Sequence, residues 1–223
     1  MRSRAVPFGS LFRNDADSMV TLRLLAAAND LRSAVRLMKG AIEASEHAGH
    51  AGRSRANGEM LYAFRMAAVH AFEAYRVLNE GKEIRDFFET RRGKRGDVFA
   101  DRRRVLLSQF GADDLQGVLS RVRNAAGAHY FRDVFGAALE ANSQVEPSLI
   151  TFYETDALDQ HFEAADEVYW RVLAADLATL FPNQPTMGAV GLAMRGIAEV
   201  QIGLTELAGQ MLVALYEERI DGC

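Results

Sequence analysis

Apolar residues recur every three or four positions along most of the chain, which is the spacing of an α-helix with one buried face. Leu24, Ala27, Leu31, Ala34, Met38 and Ile42 make the first such stripe, with Asp15 or Ser18 as its cap, so a helix is predicted from there to about residue 45. Residues 47–58, rich in Gly, Ser, His and Ala, read as a loop. Asn57 is the predicted cap of a second helix over 58–79, with the stripe Leu61, Phe64, Ala68, Phe72, Tyr75 and Leu78 and with Gly81 as its stop. A short helix over 83–91 carries Ile84, Phe87 and Phe88, and another over 98–110 ends at Gly111. Asp113 or Asp114 caps a helix through Leu115, Val118, Leu119 and Val122. The helical period returns over 128–141, and whether the chain stays helical through Gly127 is open at this level.

Only residues 147–153 read as extended, being β-branched and aromatic. Asp156 then caps a helix to about residue 180, with Leu158, Phe162, Ala165, Tyr169, Val172, Leu173 and Leu177 as its stripe. Phe162 and Tyr169 belong to the core, and Trp170 beside them suits a pocket or a dimer contact. After a break at Pro182 and Pro185, Thr186 caps a last helix to about residue 218. Gly196 and Gly203 lie seven apart on one face of it, and each costs roughly 1 kcal/mol against alanine. Their predicted use is the close approach of another backbone.

The expected architecture is all-α, a single helical bundle of about six or seven helices spanning 1–223 as one domain. Residues 1–14 are expected to be flexible, and 186–220 to form a long C-terminal helical arm suited to oligomerisation. Composition agrees: 49% hydrophobic and 25% charged residues exclude a disordered or low-complexity chain, and four prolines favour helix. With 26 Lys+Arg against 30 Asp+Glu the net charge is −4, so a nucleic-acid site must be a local basic patch. Cys223 is the single cysteine, which allows neither an internal disulfide nor a cysteine zinc cluster and suits a reducing cytosol. No apolar run of signal-peptide length opens the chain, and the longest uncharged stretch, 177–194, is interrupted by prolines. A cytoplasmic protein without a membrane segment is expected.

No metal or cofactor is expected either. The residues three before His47, His50, His70, His129 and His161 are Ala44, His47, Ala67, Ala126 and Leu158, so the Glu-x-x-His pairs of di-iron bundles are missing. Phosphate-binding glycine loops and the Gly-x-Ser-x-Gly elbow are absent from the sequence. His70 is read as a helix histidine hydrogen-bonded locally.

One segment concentrates chemistry. Between Arg123 and Tyr130 stand a guanidinium, the Asn124 amide, the His129 imidazole and a phenol. Arg123 and Tyr130, seven apart, share a helix face, whereas His129 lies about 120° away unless the helix ends or kinks at Gly127. An imidazole can take the proton of a ribose 2′-hydroxyl or give one to a leaving 5′-oxygen. A guanidinium can grip the phosphate and stabilise its growing charge. One histidine does not serve both sides of a phosphate; two from a symmetric dimer can.

The run Arg123-Asn124-Ala-Ala-Gly-Ala-His129-Tyr130 resembles the signature of HEPN domains, the higher-eukaryote and prokaryote nucleotide-binding helical domains. That signature is an arginine, commonly followed by a polar residue, and a histidine after four to six intervening residues; here five intervene. The resemblance implies an all-helical bundle, a homodimer and metal-independent RNase activity. Its catalytic pair maps onto Arg123 and His129, with Asn124 as the polar neighbour. Gly127 departs from the pattern, where a bulkier residue is usual.

A second feature is basic. Arg91, Arg92, Lys94, Arg95, Arg102, Arg103 and Arg104 stand against only Asp97 and Asp101, a stretch on which a phosphate backbone could dock. Phe99 is its lone candidate for stacking a base. The leading expectation is thus a HEPN-like protein that binds RNA or a nucleotide and cleaves RNA without a metal, with Arg123, Asn124, His129 and Tyr130 as the catalytic set. The alternative is a non-catalytic helical interaction or dimerisation protein.

Overall fold

The computed structural model describes residues 6–80, 82–90, 96–111, 115–123, 177, 183 and 186–221. Among these the chain forms seven α-helices and no strand: α1 (Phe8–Leu11), α2 (Ala16–His47), α3 (His50–Glu80), α4 (Lys82–Thr90), α5 (Gly96–Gly111), α6 (Leu115–Val122) and α7 (Thr186–Tyr216). A π-helical turn, Glu217–Asp221, follows α7. The all-α bundle expected from the periodicity is the architecture found. The expected elements over 128–141, 147–153 and 156–180 lie outside the described residues, as do Gly81, Asp113 and Asp114. Leu177 alone of that region is described, and it is fully buried.

Asp15 is the cap of α2. Its backbone is extended, and its side chain accepts a hydrogen bond from the Ser18 N–H at 2.8 Å, satisfying one of the donors a helix start leaves open. Val20, Leu24, Ala28, Leu31, Ala34, Met38 and Ala41 form its buried line. The predicted stripe holds through Leu24, Leu31, Ala34 and Met38, but Ala28 and Ala41 are the buried residues where Ala27 and Ile42 were expected. Ile42 is exposed.

The predicted loop over 47–58 is the largest correction. Only Ala48 and Gly49 separate α2 from α3, and residues 50–58 are already helical. Asn57 is therefore an interior residue, not a cap. The hairpin is tight because the residues are small: a Cβ on Gly52 would stand 2.8 Å from that of Ala48. Ala56, Ala63, Ala67, Ala68, Ala71 and Ala74 are all buried along α3, so it can lie close to its neighbours. Alanine and glycine there serve close packing, not a turn. α3 lies against α2, α5, α6 and α7 and is the central element.

α4 buries Ile84 and Phe87, and α5 buries Phe99, Leu106 and Phe110. The Phe87 and Phe99 rings meet edge to face at 6.0 Å. In α6, Leu115, Val118, Leu119 and Val122 are all buried. α7, expected as an arm, runs along α2 and α5 of its own chain and sinks a line from Ala189 to Leu215 into the core. Its two notch glycines receive leucine side chains, not the backbone expected. A Cβ on Gly196 would stand 2.9 Å from Leu115 Cδ2, and one on Gly203 would overlap Leu106 Cδ1.

Near the start of the chain, where flexibility was expected, α1 is followed by Phe12, whose ring lies 4.9 Å from that of Phe8, and Leu11 and Phe12 pack on the core. Arg219, from the π turn, is the only buried charged residue among those described. Its Nη1 donates to the Leu11 carbonyl at 2.8 Å and to Ser18 Oγ at 2.7 Å, and its Nη2 donates to Asp15 Oδ2 at 2.8 Å. Ser18 Oγ also accepts from the Arg13 N–H at 2.9 Å. One guanidinium thus ties the last turn of the chain to the cap of α2.

Candidate nucleic-acid site

Arg123 follows α6 directly, in a π-helical position. α6 packs on α3 through its buried face, which sets the Arg123 side chain over the α3 surface at Phe72 and Glu73. The guanidinium carbon lies 5.3 Å from the Phe72 ring centroid, and Nη2 lies 3.3 Å from Glu73 Oε1. Glu73 offers its other oxygen to Arg76 Nη1 at 3.6 Å. The side chain keeps 37% of its surface open to solvent. A cation over an aromatic face in such a setting gains about 0.5–1 kcal/mol, and an exposed ion pair a similar amount. Together they hold the guanidinium in place while part of the side chain stays in contact with solvent.

Asn124, His129 and Tyr130, the other members of the expected catalytic set, lie outside the described residues. So do Arg91, Arg92, Lys94 and Arg95 of the basic stretch. Its other three arginines occupy successive positions of α5, about 100° apart, and each takes a different partner. Arg102 pairs with Glu206 of α7. Arg103 donates through Nε to the Leu78 carbonyl near the end of α3 at 2.8 Å, where a cation complements the open carbonyls of a helix terminus. Burial lowers the Arg103 pKa from its ordinary value, and the nearby positive charge of Arg85 adds to the shift. Arg104 pairs with Asp101 at 2.7 Å. The three guanidiniums therefore do not share one face. Phe99, the candidate stacking residue, is buried against Phe87.

His70 does not make the local hydrogen bond expected of it. Its Nδ1 faces Asp30 Oδ2 of α2 across the helix interface at 3.7 Å, beyond hydrogen-bond reach. Among the described residues no three His, Cys, Asp or Glu side chains gather as a metal-binding group. No described helix is long and apolar enough to cross a membrane.

Sequence reasoning found Arg123 but missed its setting. Phe72 falls in the predicted core stripe, and no local motif singles out Glu73. About fifty positions separate this pair from Arg123, and no local spacing links them. No family model matches the chain, and no curated protein or solved structure matches it.

Proposed function

We propose that this chain is a HEPN-like helical protein that binds RNA or a nucleotide through the phosphate, and that it acts as a metal-independent endoribonuclease. The observation that supports the reading is the Arg123 guanidinium, held against Phe72 and Glu73 at the end of α6 while its side chain stays 37% exposed. Fixed in advance, a guanidinium loses little freedom when it takes a phosphate, and its charge stabilises that which grows on the phosphoryl oxygens. In the proposed reaction His129 accepts the 2′-hydroxyl proton as the 2′-oxygen bonds to phosphorus. The bond to the 5′-oxygen breaks, and a second imidazole protonates that leaving oxygen. The products are a 2′,3′-cyclic phosphate and a free 5′-hydroxyl. Asn124 and Tyr130 orient the strand, and the second imidazole comes from the other copy of a cytoplasmic homodimer.

The test is incubation of the purified protein with mixed RNA in EDTA, beside His129→Ala and Arg123→Ala. Cleavage by the parent protein that both variants lose supports the reading; failure to bind or cut RNA at low salt overturns it. A second reading, a helical interaction protein without catalysis, is favoured by the engagement of Arg102, Arg103 and Arg104 within the chain, which leaves less basic surface for a nucleic acid.

A further inference from the structure

α5 and α7 lie side by side and run in opposite directions. Val98 and Phe99 stand beside Gln210 and Val213. One turn on, Arg102 pairs with Glu206. Beyond that, Leu106 fills the notch at Gly203, and Val105 and Gln109 face Glu199 and Ile202 across a shallow groove. The ridges of this groove are aliphatic. Val98, Val105, Ile202 and Val213 are between 47% and 57% exposed, four of the exposed large hydrophobic residues of the chain. Isolated exposed valines are ordinary, but four of them flanking one central ion pair on two adjacent helices form a patterned surface.

We propose that this face binds a second copy of the chain, about a two-fold axis parallel to the groove. The pattern is self-complementary under that operation alone. Because the helices are antiparallel with Arg102 level with Glu206, the rotation lays α5 of one copy along α7 of the other. Val98 then meets the partner's Val213, Val105 meets the partner's Ile202, and Arg102 meets the partner's Glu206. A two-fold axis across the groove would instead set α5 on α5, with Arg102 facing the partner's Arg102 and Glu206 facing the partner's Glu206. Like charges brought together in an interface are strongly unfavourable, so the charges select the first arrangement.

The face is modest. Sixteen residues of α5 span about 24 Å, and two helices are about 20 Å wide, which gives roughly 500 Å² per copy. Stable interfaces bury about 800 Å² per partner, so the dimer is a weak one that dissociates in the micromolar range. This assignment concerns self-association alone and uses neither Arg123 nor RNA, so a failed cleavage assay leaves it standing.

Sedimentation equilibrium from about 1 to 200 μM tests it. The parent protein should pass from monomer to dimer. Arg102→Glu places carboxylate on carboxylate and Glu206→Arg places guanidinium on guanidinium, so each alone should weaken self-association at least tenfold. An equimolar mixture of the two variants should form a heterodimer, because Glu meets Arg at both crossings. That recovery separates the proposal from simple loss of the pair within each chain, which the mixture does not repair. Val105→Glu, at an exposed position one turn along α5 from Arg102, should also give a folded monomer by circular dichroism. A parent protein that stays monomeric at 200 μM, a single charge variant that stays dimeric, or a mixture that fails to associate would each overturn the proposal.

Discussion

Replacing Arg219 with alanine should cost the protein about 3 kcal/mol. The side chain is 6% exposed and donates to the Leu11 carbonyl, Ser18 Oγ and Asp15 Oδ2. Breaking one partner out of a buried charged pair typically costs 3–5 kcal/mol, because the remaining groups lose their compensation. Two features place this site near the lower end of that range. Asp15 is 38% exposed and regains water, and Ser18 Oγ keeps the Arg13 N–H as a donor. For a chain of this size about 3 kcal/mol corresponds to a fall in Tm of roughly 6–12 °C.

Arg219→Lys should recover little, since an ammonium cannot fork to two helices from one plane. Urea titration with an unchanged m-value is the assay, combined with Asp15→Asn in a double-mutant cycle. The cost should also depend on pH. Burial acts to raise the Asp15 pKa, but hydrogen bonds from Ser18 and the charge and hydrogen bond of Arg219 outweigh it and hold the carboxyl below its ordinary 3.8. Stability from this source is therefore present above about pH 4 and is lost as the pH falls through the lowered value. The coupling between Arg219 and Asp15 should be full at pH 7 and shrink as the pH falls through the lowered Asp15 value. A loss under 1 kcal/mol, or a coupling that does not change with pH, would refute the assignment of this contact as the fastening between the two segments.

Glycine substitutions should split by environment. Gly40→Ala, in the interior of α2 with nothing near its added methyl, should raise stability by about 0.5–1 kcal/mol in the same urea assay. Gly203→Ala should lower it by about 1–3 kcal/mol despite the better helix propensity, because the methyl overlaps Leu106 Cδ1. Glu73→Gln should tighten RNA binding at low salt by several-fold in a fluorescence anisotropy titration, since it removes the carboxylate that competes with phosphate for Arg123. Unchanged or weaker binding would count against Arg123 as the phosphate group.

What the chain discloses before folding depends on how local the cause is. The Asp15 cap, the ends of α4 and α5 and the start of α7 follow from short patterns, and the helices lie within a residue or two of where those patterns put them. Residues 50–58 failed because glycine and alanine suit both a turn and a close helix crossing, and only the presence of α2 alongside decides between them. The drift from Ala27 to Ala28 and from Ile42 to Ala41 reflects the same neighbour, which chooses the buried line from several apolar residues. Arg219 gave no signal at all. Its partners stand some two hundred positions earlier, and its own surroundings, Glu217, Glu218 and Asp221, resemble a solvated helix end. The setting of Arg123 was hidden for the same reason, whereas its chemistry could be read from the residues beside it.

The two-residue link between α2 and α3 has a kinetic consequence. Sixty-odd residues can zip into a hairpin from contacts close in the chain, at little loop-closure entropy, while the fastening by Arg219 must wait for the far end to arrive. Amide protons of α1 and of the π turn should therefore exchange together with solvent deuterium, as one cooperative unit that opens at lower free energy than the middle of the hairpin.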